Sequence, residues 1–161
     1  MEKQLAEIYN KLSSKIASMI PTKWTKFYYL GEVEDGKLSW SSVFYFESTN
    51  DGEFVKSHNI PEKYNVSNEI YEELQDEVNA LLIELYDCFA VNEQALWNQV
   101  SLFVDNTGAF DINYLYDAIN DSDGGPVNRE VVWAYETFGF MPKEGSYTRK
   151  ILDKYIYGKS R

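Results

Sequence analysis

The chain has 161 residues, 44% hydrophobic and 16% aromatic, with a single cysteine and a formal net charge of -11. That length and apolar content suit one domain with a sizeable core and exclude a disordered acidic tail. The charge disfavours nucleic acid and anionic membrane surfaces, one cysteine forbids an internal disulfide, and no apolar run reaches the length of a membrane span.

Residues 4–19 read as a helix, because Leu5, Ile8, Leu12, Ile16 and Met19 recur at the three-and-four spacing of one apolar face. Pro21 stops it. Lys23 to Val33 reads as an aromatic-rich strand, and Glu34-Asp35-Gly36-Lys37 as a hairpin turn with glycine where the backbone needs positive φ. Leu38 to Glu47 is the second strand. Thr49-Asn50-Asp51-Gly52 turns the chain, and Glu53 to His58 is a third strand, ended by Ile60-Pro61. A long helix is expected from Ser67, a plausible N-cap, to Phe89. At 100° per residue Ile70, Leu74, Val78, Leu81, Leu82, Leu85 and Phe89 share its apolar face, with acids opposite. Two strands follow, about Trp97–Val104 and Ala109–Tyr116, around the turn Asp105-Asn106-Thr107-Gly108. Phe110, Ile112, Tyr114 and Tyr116 form the apolar face of the second, alternating with Asp111 and Asn113. A helix of about Val127–Phe138 closes on Gly139 and Pro142, and a last one spans about Ser146–Tyr157.

The order is αβββαββαα. Strands joined by tight turns imply an α+β fold: one antiparallel sheet of about five strands with helices packed on it. No internal repeat and no long linker appears, so residues 1–161 are expected to form one domain. The composition, with no signal-peptide pattern, suggests a cytosolic protein.

The acidity is concentrated. Between Tyr64 and Asn128 there is no Lys or Arg, while thirteen Asp and Glu lie there. On the long helix Glu69, Glu72, Glu73, Asp76 and Glu77 share one side. Like charges at these spacings repel by ~0.2–0.5 kcal/mol per pair. Glu69, Glu72 and Glu73 sit near the positive helix N-terminus, which softens this, and salt screens the rest. An ordinary solvated helix face accounts for such a pattern; so does a surface built for a basic partner, and the lack of interspersed lysines favours the second. The loop after the second hairpin adds Asp117, Asp121 and Asp123.

That loop, Ile119 to Glu130, imitates a calcium loop: Asp121, Asp123, Gly124 and Glu130 fall at the third, fifth, sixth and twelfth positions. Ile119 then occupies the first position, which needs an oxygen ligand, and the preceding segment reads as a strand. A strand-to-helix loop rich in Asp, Ser and Gly for backbone reasons explains the match better. His58 is the sole histidine and Cys88 the sole cysteine, and they are far apart in sequence. There is no glycine-rich phosphate loop and no metal-spaced Cys/His cluster. No catalytic residue, cofactor or metal site is therefore assigned, although a carboxylate-metal hydrolase and a general interaction module stay open as alternatives.

The segments Ile8–Tyr29, Asn59–Ser67, Glu72–Phe89, Trp97, Asp105–Asp117 and Trp133–Pro142, taken in order, resemble the YezG/EsaG-like family of bacterial immunity proteins. It departs from the family pattern at Leu96, where proline is expected, and in its Gly- and Asp-rich loop at Asp121–Gly125. The resemblance covers nearly the full chain. It implies a non-enzymatic antitoxin that binds a nuclease toxin exported by type VII secretion and occludes its toxin domain. No catalytic residues carry over. The candidate contacts are the acids named above: Glu69, Glu72, Glu73, Asp76, Glu77, Asp117, Asp121 and Asp123.

Overall fold

The computed structural model describes residues 1–120 and 122–160. By compactness it divides into two units, Met1–Ala118 and Ile119–Arg161.

The first unit opens with α1 (Glu2–Met19), which buries Ile8, Leu12, Ile16 and Met19 as their spacing requires. The sheet follows: β1 (Trp24–Glu34), β2 (Ser39–Ser48), β3 (Phe54–Lys56), β4 (Gln99–Asp105) and β5 (Phe110–Leu115). The strands run antiparallel in the order β3-β2-β1-β4-β5, which puts β1 at the centre. The expected α+β class and element order are observed.

Three local differences have physical reasons. The β1–β2 connection is wider than a two-residue turn: Asp35, Gly36 and Lys37 all take positive φ, which leaves Leu38 exposed outside the strand. The third strand is only three residues, because Ser57–Asn59 forms a 3-10 turn that leads into the short helix α2 (Ile60–Tyr64). Pro61 begins that helix rather than merely ending a strand; in a first turn its missing N–H costs nothing. In the long helix α3 (Asn68–Val91), Tyr71 rather than Ile70 is buried. Tyr71 lies seven residues before Val78, on the same stripe, while Ile70 falls at its margin and is 54% exposed.

Ser67 caps α3 as expected, its hydroxyl accepting the Ile70 N–H at 3.4 Å. The core lies between α1, α3 and one sheet face. Phe27, Tyr29, Phe44, Phe46, Val100 and Leu102 meet Leu12, Ile16, Val78, Leu82 and Leu85 there. Trp97 is buried beside Tyr86, Phe89 and Tyr114. Gly31 lets α3 approach β1 closely: a Cβ there would stand 2.6 Å from Leu82 Cδ1. On the edge strand β5 the expected apolar face is only partly covered. Ile112 and Tyr114 pack on the core, while Phe110 and Tyr116 remain 57% and 46% exposed.

In the second unit α4 (Pro126–Phe138) and α5 (Tyr147–Lys159) pack together. Gly139 ends α4 in the left-handed conformation, and the Ser146 hydroxyl caps α5. Glu136 joins the two helices, accepting from Lys159 Nζ at 2.8 Å and from the Tyr155 hydroxyl at 2.5 Å. Those two donors hold its carboxyl below the usual carboxylate range.

Candidate partner-binding surface

The α3 carboxylates are where the periodicity puts them. Glu69, Glu72, Glu73, Asp76, Glu77 and Glu84 are all exposed, on the side turned from the core. Two bases from elsewhere in the fold reach this helix. Lys15 of α1 pairs with Glu77 at 2.8 Å, and Lys37 of the β1–β2 turn pairs with Asp87 at 2.9 Å. Both pairs are substantially exposed and stabilise the fold by at most about 1 kcal/mol each. Their larger effect is on the map of charge. Among the described residues Glu69, Glu72, Glu73, Asp76 and Glu84 have no ion-pair partner. The net negative field is thus concentrated on the N-terminal two turns, where Glu69, Glu72, Glu73 and Asp76 lie within about 10 Å along the axis.

The loop acids have different surroundings. Asp117 is exposed, just past β5. Asp121 lies outside the described residues. Asp123 is committed to the structure of its own loop. Both its carboxylate oxygens accept from Arg129 Nη1 at 2.9 Å, Oδ2 also accepts the Asn120 N–H at 3.0 Å, and Oδ1 the Gly125 N–H at 2.9 Å. Burial pushes this carboxyl up, but the backbone donors and the guanidinium prevail and hold it below the usual carboxylate range. Arg129 is only 7% exposed in its side chain. The pair therefore ties the loop to the first turn of α4, with Asp123 folded inward. Asp105 does the same for the β4–β5 turn. Its Oδ1 accepts from the Thr107 hydroxyl at 2.6 Å and from the Thr107 and Ala109 N–H groups at 2.9 and 3.1 Å, which lowers its pKa.

Lys15, Lys37 and Arg129 are the residues that sequence reasoning missed. Arg129 is the first base after the base-free stretch and sits six residues from Asp123, a spacing that a loop-to-helix turn closes. Lys15 and Lys37 gave no comparable signal, since their partners are 62 and 50 residues away.

No three His, Cys, Asp or Glu side chains come together in a metal-binding group among the described residues. Cys88 is buried where α3 meets α1, and its described polar neighbours are the amides of Gln4 and Asn92 rather than a base. His58 lies edge-on to Tyr71, ring centroids 6.4 Å apart. The first unit has an open cleft of about 780 Å³ at the β4–β5 turn, walled by Ala17, Trp24, Phe27 and Val104. No described helix is long and apolar enough to cross a membrane.

The described residues form an α+β protein with an exposed acidic helix face. Its sequence defines the family more closely. The family model for YezG-like immunity proteins matches residues 5–152, and the chain belongs to that family. It is 35% identical over 153 residues to the immunity protein YezG of Bacillus spizizenii, covering 95% of this chain and 93% of the relative. YezG of Bacillus subtilis is 31% identical over 140 residues, covering 87% and 91%. The type VII secretion system protein EsaG of Staphylococcus aureus is 27% identical over 159 residues, covering 96% and 95%. Members of this family are immunity proteins, binding a cognate toxin, and are not enzymes.

Proposed function

We propose that this chain protects its cell from a secreted nuclease toxin, binding the toxin domain non-covalently and covering the groove that would hold DNA. A nuclease groove is basic because it holds phosphate, and carboxylates presented on a rigid helix suit that field. The observation that carries this reading is the cluster of Glu69, Glu72, Glu73 and Asp76, exposed and without ion-pair partners among the described residues. These side chains steer the encounter, and Glu77, half-neutralised by Lys15, contributes less. Asp117, exposed just past β5, is a further candidate contact. In the second unit Asp123 is a further candidate contact through the loop whose shape it holds, and Asp121, outside the described residues, is one by its charge alone. The family match across residues 5–152 supports residues 1–161 acting as one immunity-protein-like domain, and the named link of the relative EsaG to type VII secretion supports a toxin exported by that route. The protein meets the toxin in the cytoplasm, before export or after entry.

The test is direct. The genes beside this one are searched for a toxin domain, which is purified, its DNA cleavage measured, and the protein titrated in. Stoichiometric loss of cleavage with formation of a stable complex is the expected result. A complex that leaves cleavage untouched overturns the occlusion reading, and a toxin that cleaves no nucleic acid overturns its nuclease assignment.

A further inference from the structure

The sheet has two ends, and they differ in kind. β3 is three residues long and carries Lys56, features that blunt an edge against further pairing. β5 runs six residues from Phe110 to Leu115, with neither Lys nor Pro, and among the described residues no strand pairs with its outer side.

The hydrogen-bond phase shows which groups that outer side offers. In an antiparallel ladder, residues that exchange hydrogen bonds alternate with residues whose N–H and C=O point away. The Asp105 N–H donates to Ala109 C=O at 3.0 Å. On the other flank of β4, the Asn106 N–H donates to Thr25 and Val33 N–H to Asn98. Both bonds fix the same phase. It follows that Asp111 and Asn113 turn their backbone groups to β4, while Phe110, Ile112 and Tyr114 turn theirs outward. Apolar surface flanks this row: Phe110 beside Tyr9 of α1, and Leu115 and Tyr116, exposed by 51% and 46%.

Charge selects the occupant. Asp111 stands on the strand and Asp117 just after it, within the stretch that has no Lys or Arg. A second copy of this chain would bring the same carboxylates against these. A strand carrying Lys or Arg would instead place a cation across from Asp111. We propose that β5 is a docking edge onto which an extended, lysine- or arginine-bearing segment of the toxin adds as a further antiparallel or parallel strand. The inference rests on the toxin-binding reading and deepens it. The α3 carboxylates attract the toxin, and the β5 backbone fixes its register through main-chain bonds that tolerate sequence change in the toxin.

Hydrogen exchange of the full-length protein, alone and with the toxin domain found beside its gene, tests this. In the free protein the amides of Phe110, Ile112 and Tyr114 exchange fast and those of Asp111 and Asn113 slowly. In the complex the first three slow by about tenfold or more, and one basic segment of the toxin slows with them. Phe110→Pro removes an outward N–H while leaving the β4 ladder intact, and weakens the complex by about tenfold or more. Should that variant fail to fold, the exchange pattern of the unaltered protein decides. A complex in which these three amides exchange as before overturns the proposal and leaves the toxin-binding reading standing. Slowing in the protein alone as its concentration rises assigns the edge to a second copy and likewise overturns it. No complex at all removes the toxin-binding reading, and this inference with it.

Discussion

Replacing Glu69, Glu72, Glu73 and Asp76 together by lysine reverses the unpaired part of the α3 face and leaves the Lys15–Glu77 pair in place. In water two unit charges 8 Å apart interact by about 0.5 kcal/mol before screening. Four carboxylates acting on one cation of the partner therefore supply about 2 kcal/mol, reduced to roughly 0.8 kcal/mol at physiological salt, where 8 Å is one Debye length. Reversing the four signs doubles the change to about 1.5 kcal/mol, or roughly tenfold in association rate for each opposing cation at that distance. A groove presenting two such cations loses about two orders of magnitude. Reversal of one residue, such as Glu72→Lys, changes the rate only a few-fold by the same reasoning.

The fold has little reason to respond, because the four side chains are exposed and make none of the core contacts. A lysine at position 69, in the first turn of the helix, opposes its dipole by ~0.3–1 kcal/mol. A parallel variant with Gln and Asn at the four positions removes that complication: it relieves like-charge contacts and should unfold within about 1 kcal/mol of the parent. Stopped-flow association across an ionic-strength series is the assay. The two variants should converge on the parent as salt rises, with dissociation rates much less affected. Unchanged association rates at low salt in a folded lysine variant would refute the argument and reduce this face to a solvated surface.

Asp123→Ala removes a carboxylate partner of the buried Arg129 and unpairs two backbone N–H groups, so urea denaturation should show a loss of roughly 2–3 kcal/mol from the unit holding α4 and α5. Calcium titration of the parent by calorimetry should give no binding tighter than millimolar, because the Ile119 side chain supplies no oxygen at the first loop position; sub-millimolar binding abolished by Asp123→Ala would contradict this. Asp105 and Asp123 both have depressed folded pKa values, so what they contribute to stability is present above about pH 4 and lost as pH falls through the lower folded values. Acid unfolding followed by tryptophan fluorescence should accordingly lose part of its pH dependence below pH 4 in Asp105→Asn, which keeps an acceptor for the turn but does not titrate. Gly31→Ala should cost about 1–3 kcal/mol in thermal or urea unfolding, since its Cβ would meet Leu82 Cδ1 at 2.6 Å and the Tyr29 hydroxyl at 2.7 Å inside a closed core.

Local signals and tertiary ones were unequally legible. The periods of α1 and α3, the Ser67 cap and the Gly139 stop are written within a few residues of the elements they define, and they place those elements to within two residues. Pro61 misled because the same missing N–H that ends a strand is harmless in a first helical turn. The β5 face was misjudged for a different reason. Alternation shows which residues share a face, but only the strand order shows that this face lies at the sheet's edge, where Phe110 overhangs the core. Charge behaved in the same way. The acidic run was visible by counting, whereas its division into Glu77 and Asp87, paired across the fold, and Glu69 to Asp76, left open, depends on Lys15 and Lys37. Asp123 makes the point most sharply. As a string, its loop looked first like a metal site and then like part of an acidic contact, yet the carboxylate serves Arg129 and two amides. A residue's charge can be read from sequence, but whether that charge is spent inside the protein or offered to a partner is set by contacts that the fold brings together. That is why the α3 cluster, whose four carboxylates have no ion-pair partner among the described residues, carries the binding argument ahead of Asp123.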